Sequence, residues 1–380
     1  MPEEIMTQEI KVPEKPIQFD LPQLTLEDIE VDNLIRIDRA RTTFEVTGTG
    51  MNVAVLDTGL RTTHVDFAGK VVAQRNFTPD NNGNPDDASD GQGHGTNVTG
   101  IIAANGDHKG IAPRAGVIPL KVLSNTGSGS FTAVTDALKW VLENHQVYNI
   151  SAVNMSLGNS VNVDDDSGFD NDETRQVISQ LRNNNVIVVA AAGNDYFKFQ
   201  LPGMGFPAIL RDTISVGAVY DASVGPFSYR GGAEARSTGR DRLTPFSQRL
   251  HEDHNPNTRT DIFAPGAPVT SSGINTDHGE SVQQGTSQAT PVVVGVILLM
   301  QEYFKKNTGQ LPSLKVISEC LRSGGVPIID GDDEDDNVRH TQKTYLRVDA
   351  LLALAAVRRK LQMNLLAGQG NSLKEMFANY

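Results

Sequence analysis

The chain of 380 residues has a single cysteine, Cys320, so no intramolecular disulfide can staple it. Cys320 lies in an apolar pattern that reads as core filler, not as a reactive thiol. Basic charge is in deficit: 33 Lys and Arg face 46 Asp and Glu, a net charge of −13. That excludes the basic face which nucleic acid or an anionic membrane surface requires. Apolar runs of membrane length are missing too, since Val292–Met300 falls far short of the roughly 20 residues of a span. Met1–Pro22 is polar, acidic and proline-bearing, without a basic-then-apolar leader pattern. The expected location is therefore cytoplasmic, or secreted if the chain is the processed form of a longer product.

What is present is an ordinary globular composition, 38% hydrophobic and 21% charged with 35 glycines. Length alone would suggest two or three units of about 150 residues, but no linker divides the chain. Residues 1–32 read as an N-terminal extension, a candidate regulatory or inhibitory segment. Residues 33–360 read as one domain, and residues 361–380 as a tail.

Strand and helix patterns alternate along the domain. Strands are expected at Asn52–Leu56, Val117–Val122, Ile150–Met155, Val186–Ala192 and Thr213–Val219, and helices at Asp38–Thr47, His94–Ala104, Phe131–Gln146 and Thr174–Asn184. Strands apolar on both faces and separated by helices imply an α/β fold, a mainly parallel sheet with helices on both faces. Val224–Asn257 breaks the rhythm; it is polar and rich in Arg, and reads as a surface insertion. Further helices are expected over Leu311–Ser323 and Val348–Arg359.

Three groups stand at element ends in glycine-rich settings. Asp57 ends a strand in Asp57-Thr58-Gly59, and His94 opens a helix in His94-Gly95-Thr96. Ser287 opens another in Gly285-Thr286-Ser287, with Pro291 expected in the first turn. Serine is a weak nucleophile until a base takes its proton, imidazole suits that task, and a buried carboxylate fixes the imidazole tautomer. Asn194 ends Ala192-Gly193-Asn194 with an amide donor suited to a developing oxyanion. Singly, each has a structural reading: Asp57 as a turn cap, His94 as a satisfied core histidine, Asn194 as a turn residue and Ser287 as a helix cap.

Together with Asn154-Met155-Ser156-Leu157-Gly158, these motifs resemble the signatures of subtilisin-like serine proteases, the subtilase family, over roughly residues 33–325. The chain order Asp, His, Ser is similar to that of subtilisin, and the acidic loop before His94 resembles intracellular bacterial subtilisins. The resemblance implies the three-layer subtilisin-like fold, a triad of Asp57, His94 and Ser287, and oxyanion donors from Asn194 and the Ser287 N–H. It implies a polypeptide substrate held in extended conformation by Gly127, Ser128 and Gly129 on one side and by Ser156, Leu157 and Gly158 on the other. Gly205 matches the floor of the primary specificity pocket and implies a preference for large apolar or aromatic residues before the cut. Peptide transpeptidation or macrocyclisation on the same fold, and a catalytically silent binding module, are the alternative functions.

The chain departs from the family pattern at Gln288, where Met is usual, at Val292, where His is usual, and at Asn97 and Thr99. Asp66 matches an acidic calcium ligand of secreted relatives, whose other partners the chain lacks. No organic cofactor is expected. Calcium is a candidate elsewhere, in the loop carrying Asp80, Asn82, Asp86, Asp87 and Asp90, with Asp80, Asn82, Asp86 and Asp90 the chosen ligands; a solvated acidic loop is the other reading. The run Asp330–Asn337 faces the same choice, and its like charges favour a solvated loop. Ile17–Leu24 laid along the cleft as a strand would give the extension an inhibitory role; a disordered tail is the other reading.

Overall fold

The computed structural model describes residues 10–11, 29–229, 231–255 and 257–378. Its centre is a nine-stranded sheet. In chain order the strands are β1 (Asn52–Asp57), β2 (Arg75–Asn76), β3 (Gly116–Lys121), β4 (Ile150–Met155), β5 (Ile187–Ala191), β6 (Ile214–Tyr220), β7 (Ile262–Ala267), β8 (Val326–Ile329) and β9 (Thr344–Arg347). Across the sheet they run β8-β9-β7-β6-β5-β4-β1-β3-β2. Only the edge strand β8 is antiparallel to its neighbour.

The principal helices are α1 (Ile37–Phe44), α2 (His94–Ala103), α3 (Phe131–Asn144), α4 (Glu173–Asn183), α5 (Thr286–Thr308), α6 (Leu314–Ser323) and α7 (Ala350–Ala378). The pleat sends alternate side chains to opposite faces: Val53 and Val55 join one core, Ala54 and Leu56 the other. α1, α2, α5, α6 and α7 cover the first face, and α3 and α4 the second. Three layers result, as the alternation of strands and helices requires. α7 continues to Ala378, so the tail boundary drawn at residue 360 falls inside a helix.

α5 is buried without interruption from Thr286 to Glu302, which explains why its apolar residues show no single face. Pro291 is not in the first turn, because the helix begins at Thr286. At this depth a missing N–H leaves one carbonyl without its helical partner, and that carbonyl is Ser287 O.

Val224–Asn257 is not a surface insertion. Phe227, Tyr229, Phe246, Gln248, Arg249 and Leu250 are all buried within it. The Tyr229 hydroxyl donates to Gln284 Oε1 at 2.9 Å, just before the Ser287 turn. Its polar composition misleads because the polar residues are consumed internally. Arg249 lies 3.6 Å over the Tyr196 ring and donates through Nε and Nη2 to both oxygens of Asp330, at 2.9 and 3.0 Å. Asp330 is therefore not part of a solvated loop: it is fully buried, and His340 and Thr341 also donate to it. Asp332 and Asp333 do face solvent.

Burial works against the Asp330 carboxylate, but Arg249 and the hydrogen bonds from His340 and Thr341 outweigh it and hold the pKa down to about 2. Hydrogen bonds to Asp330 and Asp336 push His340 up to about 10. A depressed carboxyl stabilises the fold above its ordinary pKa of 3.8, and that contribution goes as pH falls through about 2. A raised histidine contributes fully below 6.5 and loses the contribution as pH climbs through about 10. We expect stability from urea unfolding to decline between those two values in the wild type, and to decline less in His340→Gln. Parallel profiles would refute the linkage. Asp330→Asn should cost roughly 3–5 kcal/mol by stranding Arg249.

Candidate active site

In open parallel sheets, reactive groups collect beyond the carboxyl ends of the strands, where the connections reverse direction. β1 lies between β3 and β4, and its last residue is Asp57, 1% exposed. Asp57 Oδ1 accepts the Thr58 N–H at 2.7 Å and pairs with His94 Nδ1 at 2.8 Å. A proton held on Nδ1 by that carboxylate makes Nε2 the basic nitrogen. Nε2 is buried and has no hydrogen-bond partner among the described residues.

The first turn of α2 is locked to the β1 turn. Gly95 N donates to Thr58 Oγ1 at 2.9 Å, and only glycine fits there, since a Cβ would stand 2.3 Å from Gly59 O. Asp90 holds the turn from below. Its Oδ1 accepts from Thr58 Oγ1, Gln92 N and Gly93 N. Its Oδ2 accepts from Thr96 N and Oγ1.

Ser287 is the second residue of α5, at the positive end of the helix dipole. Its hydroxyl donates to Ser156 O at 3.1 Å, and Ser156 Oγ donates in return to Ser287 O at 2.7 Å. The return bond fills the vacancy that Pro291 leaves. Asn194 Oδ1 accepts from Thr286 N and Oγ1, at 2.9 and 3.0 Å. Its NH2 group stands beside the helix start as a donor, 3.4 Å from where a Cβ on Gly285 would lie. The Ser287 N–H, in the first turn, also lacks an intrahelical partner.

Two of the departures from the family pattern, Gln288 and Asn97, touch one another. Gln288 Nε2 donates to Gln283 Oε1 at 3.2 Å and to Asn97 Oδ1 at 3.4 Å. Gln283 Nε2 donates to Gly93 O at 3.3 Å, and Asn97 Nδ2 to Ser281 O at 2.9 Å. Buried amides thus join the helix of His94 to the helix of Ser287.

Ser128–Gly129 forms an antiparallel pair with Ile10–Lys11, so this edge accepts an added strand. Leu157 is buried, and Gly158 backs onto Phe206 O. Gly205 N donates to Ala192 O at 2.8 Å. A Cβ on Gly205 would stand 3.1 Å from Asn159 O, so the walls at 157–159 and 192 converge on it. Ile17–Leu24 lies outside the described residues.

The calcium ligands chosen from sequence do not converge. Asp80 Oδ2 accepts Asn125 N, Asp86 pairs with Arg75, and Asp90 is spent on α2. Asn82 is exposed, with positive φ. Among the described residues the only groups of three acidic or histidine side chains close enough for one ion lie at 330–340, and there Asp330, Glu334 and His340 already hold protein partners. Asp66 is likewise filled by His108 and Ser272. Sequence reading assigned Asp90 to a metal and missed its role under His94; the signal was an acidic residue just ahead of a helix start.

A family model described as the Subtilase family matches residues 48–317. The major intracellular serine protease of Bacillus subtilis (strain 168) is 30% identical over 283 residues, 73% of this chain and 76% of the relative. The intracellular serine protease of Paenibacillus polymyxa is 29% identical over 259 residues, 67% of this chain and 68% of the relative. A subtilisin of Bacillus pumilus is 30% identical over 257 residues, 67% of this chain and 78% of the relative.

An amide beside the nucleophile cannot be oxidised as a thioether can. Peroxide should therefore inactivate the wild type slowly and Gln288→Met much faster, read as residual activity over time. Equal rates would mean that oxidation acts elsewhere.

Proposed function

The chain belongs to the subtilase family, and on that premise we propose that it is a serine endopeptidase working through an acyl-enzyme on Ser287. The observation that carries the reading is the 2.8 Å bond from Asp57 to His94 with Nε2 left open, on the same sheet end as a serine at a helix start. In this reading the Ser287 hydroxyl leaves Ser156 O and turns to His94 Nε2. The imidazole takes the proton as Oγ attacks the scissile carbonyl, and Asp57 stabilises the imidazolium. The Asn194 NH2 and Ser287 N–H receive the oxyanion. His94 then protonates the leaving amine, the C–N bond breaks, and water repeats the sequence to free the acid. Asp57 and His94 lie only 37 positions apart, without a helical insertion to shield the acyl-enzyme, which favours water over an amine as acceptor.

Extended substrate would add as a strand to Gly127–Gly129, with a large apolar or aromatic residue before the cut lodged above Gly205. The pairing of Ile10–Lys11 with Ser128–Gly129 supports an inhibitory role for the N-terminal segment, since it takes an edge that substrate would use. A cytoplasmic location is in keeping with two relatives named as intracellular proteases. No helix among the described residues is long and apolar enough to cross a membrane.

A chromogenic peptide ending in Phe tests the reaction. Wild type should cleave it, Ser287→Ala should not, and Asn194→Ala should lose about 10²–10³ in kcat. Activity retained in Ser287→Ala would overturn the mechanism, and a strict demand for Arg or Lys in a peptide library would overturn the pocket assignment. Removing residues 1–30 should raise the rate; an unchanged rate would dismiss inhibition by the extension.

A further inference from the structure

The mechanism makes no use of a buried lysine beside Asp57. Lys121 ends β3 opposite Asp57 in the parallel register, with 0% exposure. A lysine is rarely buried so completely without partners that need its charge. Its ammonium donates to Thr58 O at 2.6 Å and Asn125 Oδ1 at 2.8 Å, and lies 3.5 Å from Asp80 Oδ2.

These partners belong to two halves of the site. Thr58 is the residue whose N–H holds Asp57 Oδ1, so the first bond pins the turn that orients the carboxylate. Asn125 opens the stretch leading to the Gly127–Gly129 edge. Its Oδ1 also accepts Gly91 N at 3.0 Å, and its N–H donates to Asp80 Oδ2 at 2.6 Å. The contact is close-fitting: a Cβ on Gly91 would stand 2.6 Å from Asn125 Cγ. Just beyond, Ser124 N donates to Ser128 O at 2.8 Å, which shapes the edge itself.

We propose that Lys121 is a positioning residue that couples the substrate-binding edge to the catalytic aspartate, through one ammonium bonded to Thr58 O and Asn125 Oδ1. The proposal rests on the reading of Asp57 and Gly127–Gly129 given above. An apolar side chain of equal length would fill the same volume but leave Thr58 O, in a buried residue, without this donor and Asn125 Oδ1 with Gly91 N alone, so the edge and the Asp57 turn would relax independently. Small misplacements of reacting groups are costly, up to about 10²-fold for roughly 1 Å.

The test compares full-length wild type, Lys121→Met and Asn125→Ala on two substrates. One is a long peptide that covers the edge; the other is a small p-nitrophenyl ester that does not reach it. Lys121→Met should lower kcat on both by about tenfold or more and raise KM on the peptide alone. Asn125→Ala, which spares the Thr58 bond, should change the peptide KM by more than the ester kcat. Active sites are counted by phosphonate labelling of Ser287, so that loss of folded enzyme is not read as loss of rate. Wild-type kcat and KM per labelled site in Lys121→Met would overturn the proposal. If Lys121→Met does not fold, Asn125→Ala decides: an unchanged ratio of peptide to ester kcat/KM overturns the coupling, and a changed one supports it. A wild type that phosphonate cannot label at Ser287 would overturn the catalytic reading, and the proposal with it.

Discussion

A carboxylate taken out of water at the end of β1 is the constraint from which the rest of this site follows. Buried charge is tolerable only with close compensation. Asp57 has little of it: among the described residues, the Thr58 N–H and the His94 ring lie on one oxygen, and Oδ2 has no hydrogen-bond partner. The compensation must therefore be held rigidly. Asp90 braces the turn and the start of α2 through five hydrogen bonds, and Lys121 braces the same turn from the neighbouring strand.

Ser287 is positioned by a different device. A proline in the second turn of α5, within its buried stretch, deprives Ser287 O of a donor, and Ser156 supplies one. The helix irregularity thus becomes a tie between the serine and the segment after β4. The same side chain receives Asn154 Nδ2 at 3.0 Å, so three residues of the Asn154–Gly158 motif region and the serine turn form one polar unit. Gln288, Gln283 and Asn97 extend it to α2.

Further from the chemistry, the segment 224–257 and the acidic stretch after β8 form a second buried polar assembly. Arg249 is sandwiched between Tyr196 and Asp330, and His340 lies between Asp330 and Asp336. Tyr196 closely follows Asn194 in the chain. This assembly therefore backs the loop that carries Asn194, with buried ion pairs where an apolar plug would pack at least as favourably.

Much was legible without coordinates. Apolar strands and helices at their characteristic periods determined the parallel three-layer fold, because burial on both faces leaves few other arrangements. The side chains at Asp57, His94, Asn194 and Ser287 were legible because each sits at an element end beside glycine, where a functional group gains access and a core residue gains nothing. Composition misled where polar residues pair with one another across long separations: Val224–Asn257 looked solvated, and Asp90 looked like a metal ligand. Lys121 was hidden inside an apolar strand pattern, with its acceptors 63 and 4 positions away. The sequence by itself determined which reactive groups exist and that a sheet end would gather them. Only the tertiary structure decided which acceptor each buried donor meets, because that depends on distances between segments that periodicity does not encode.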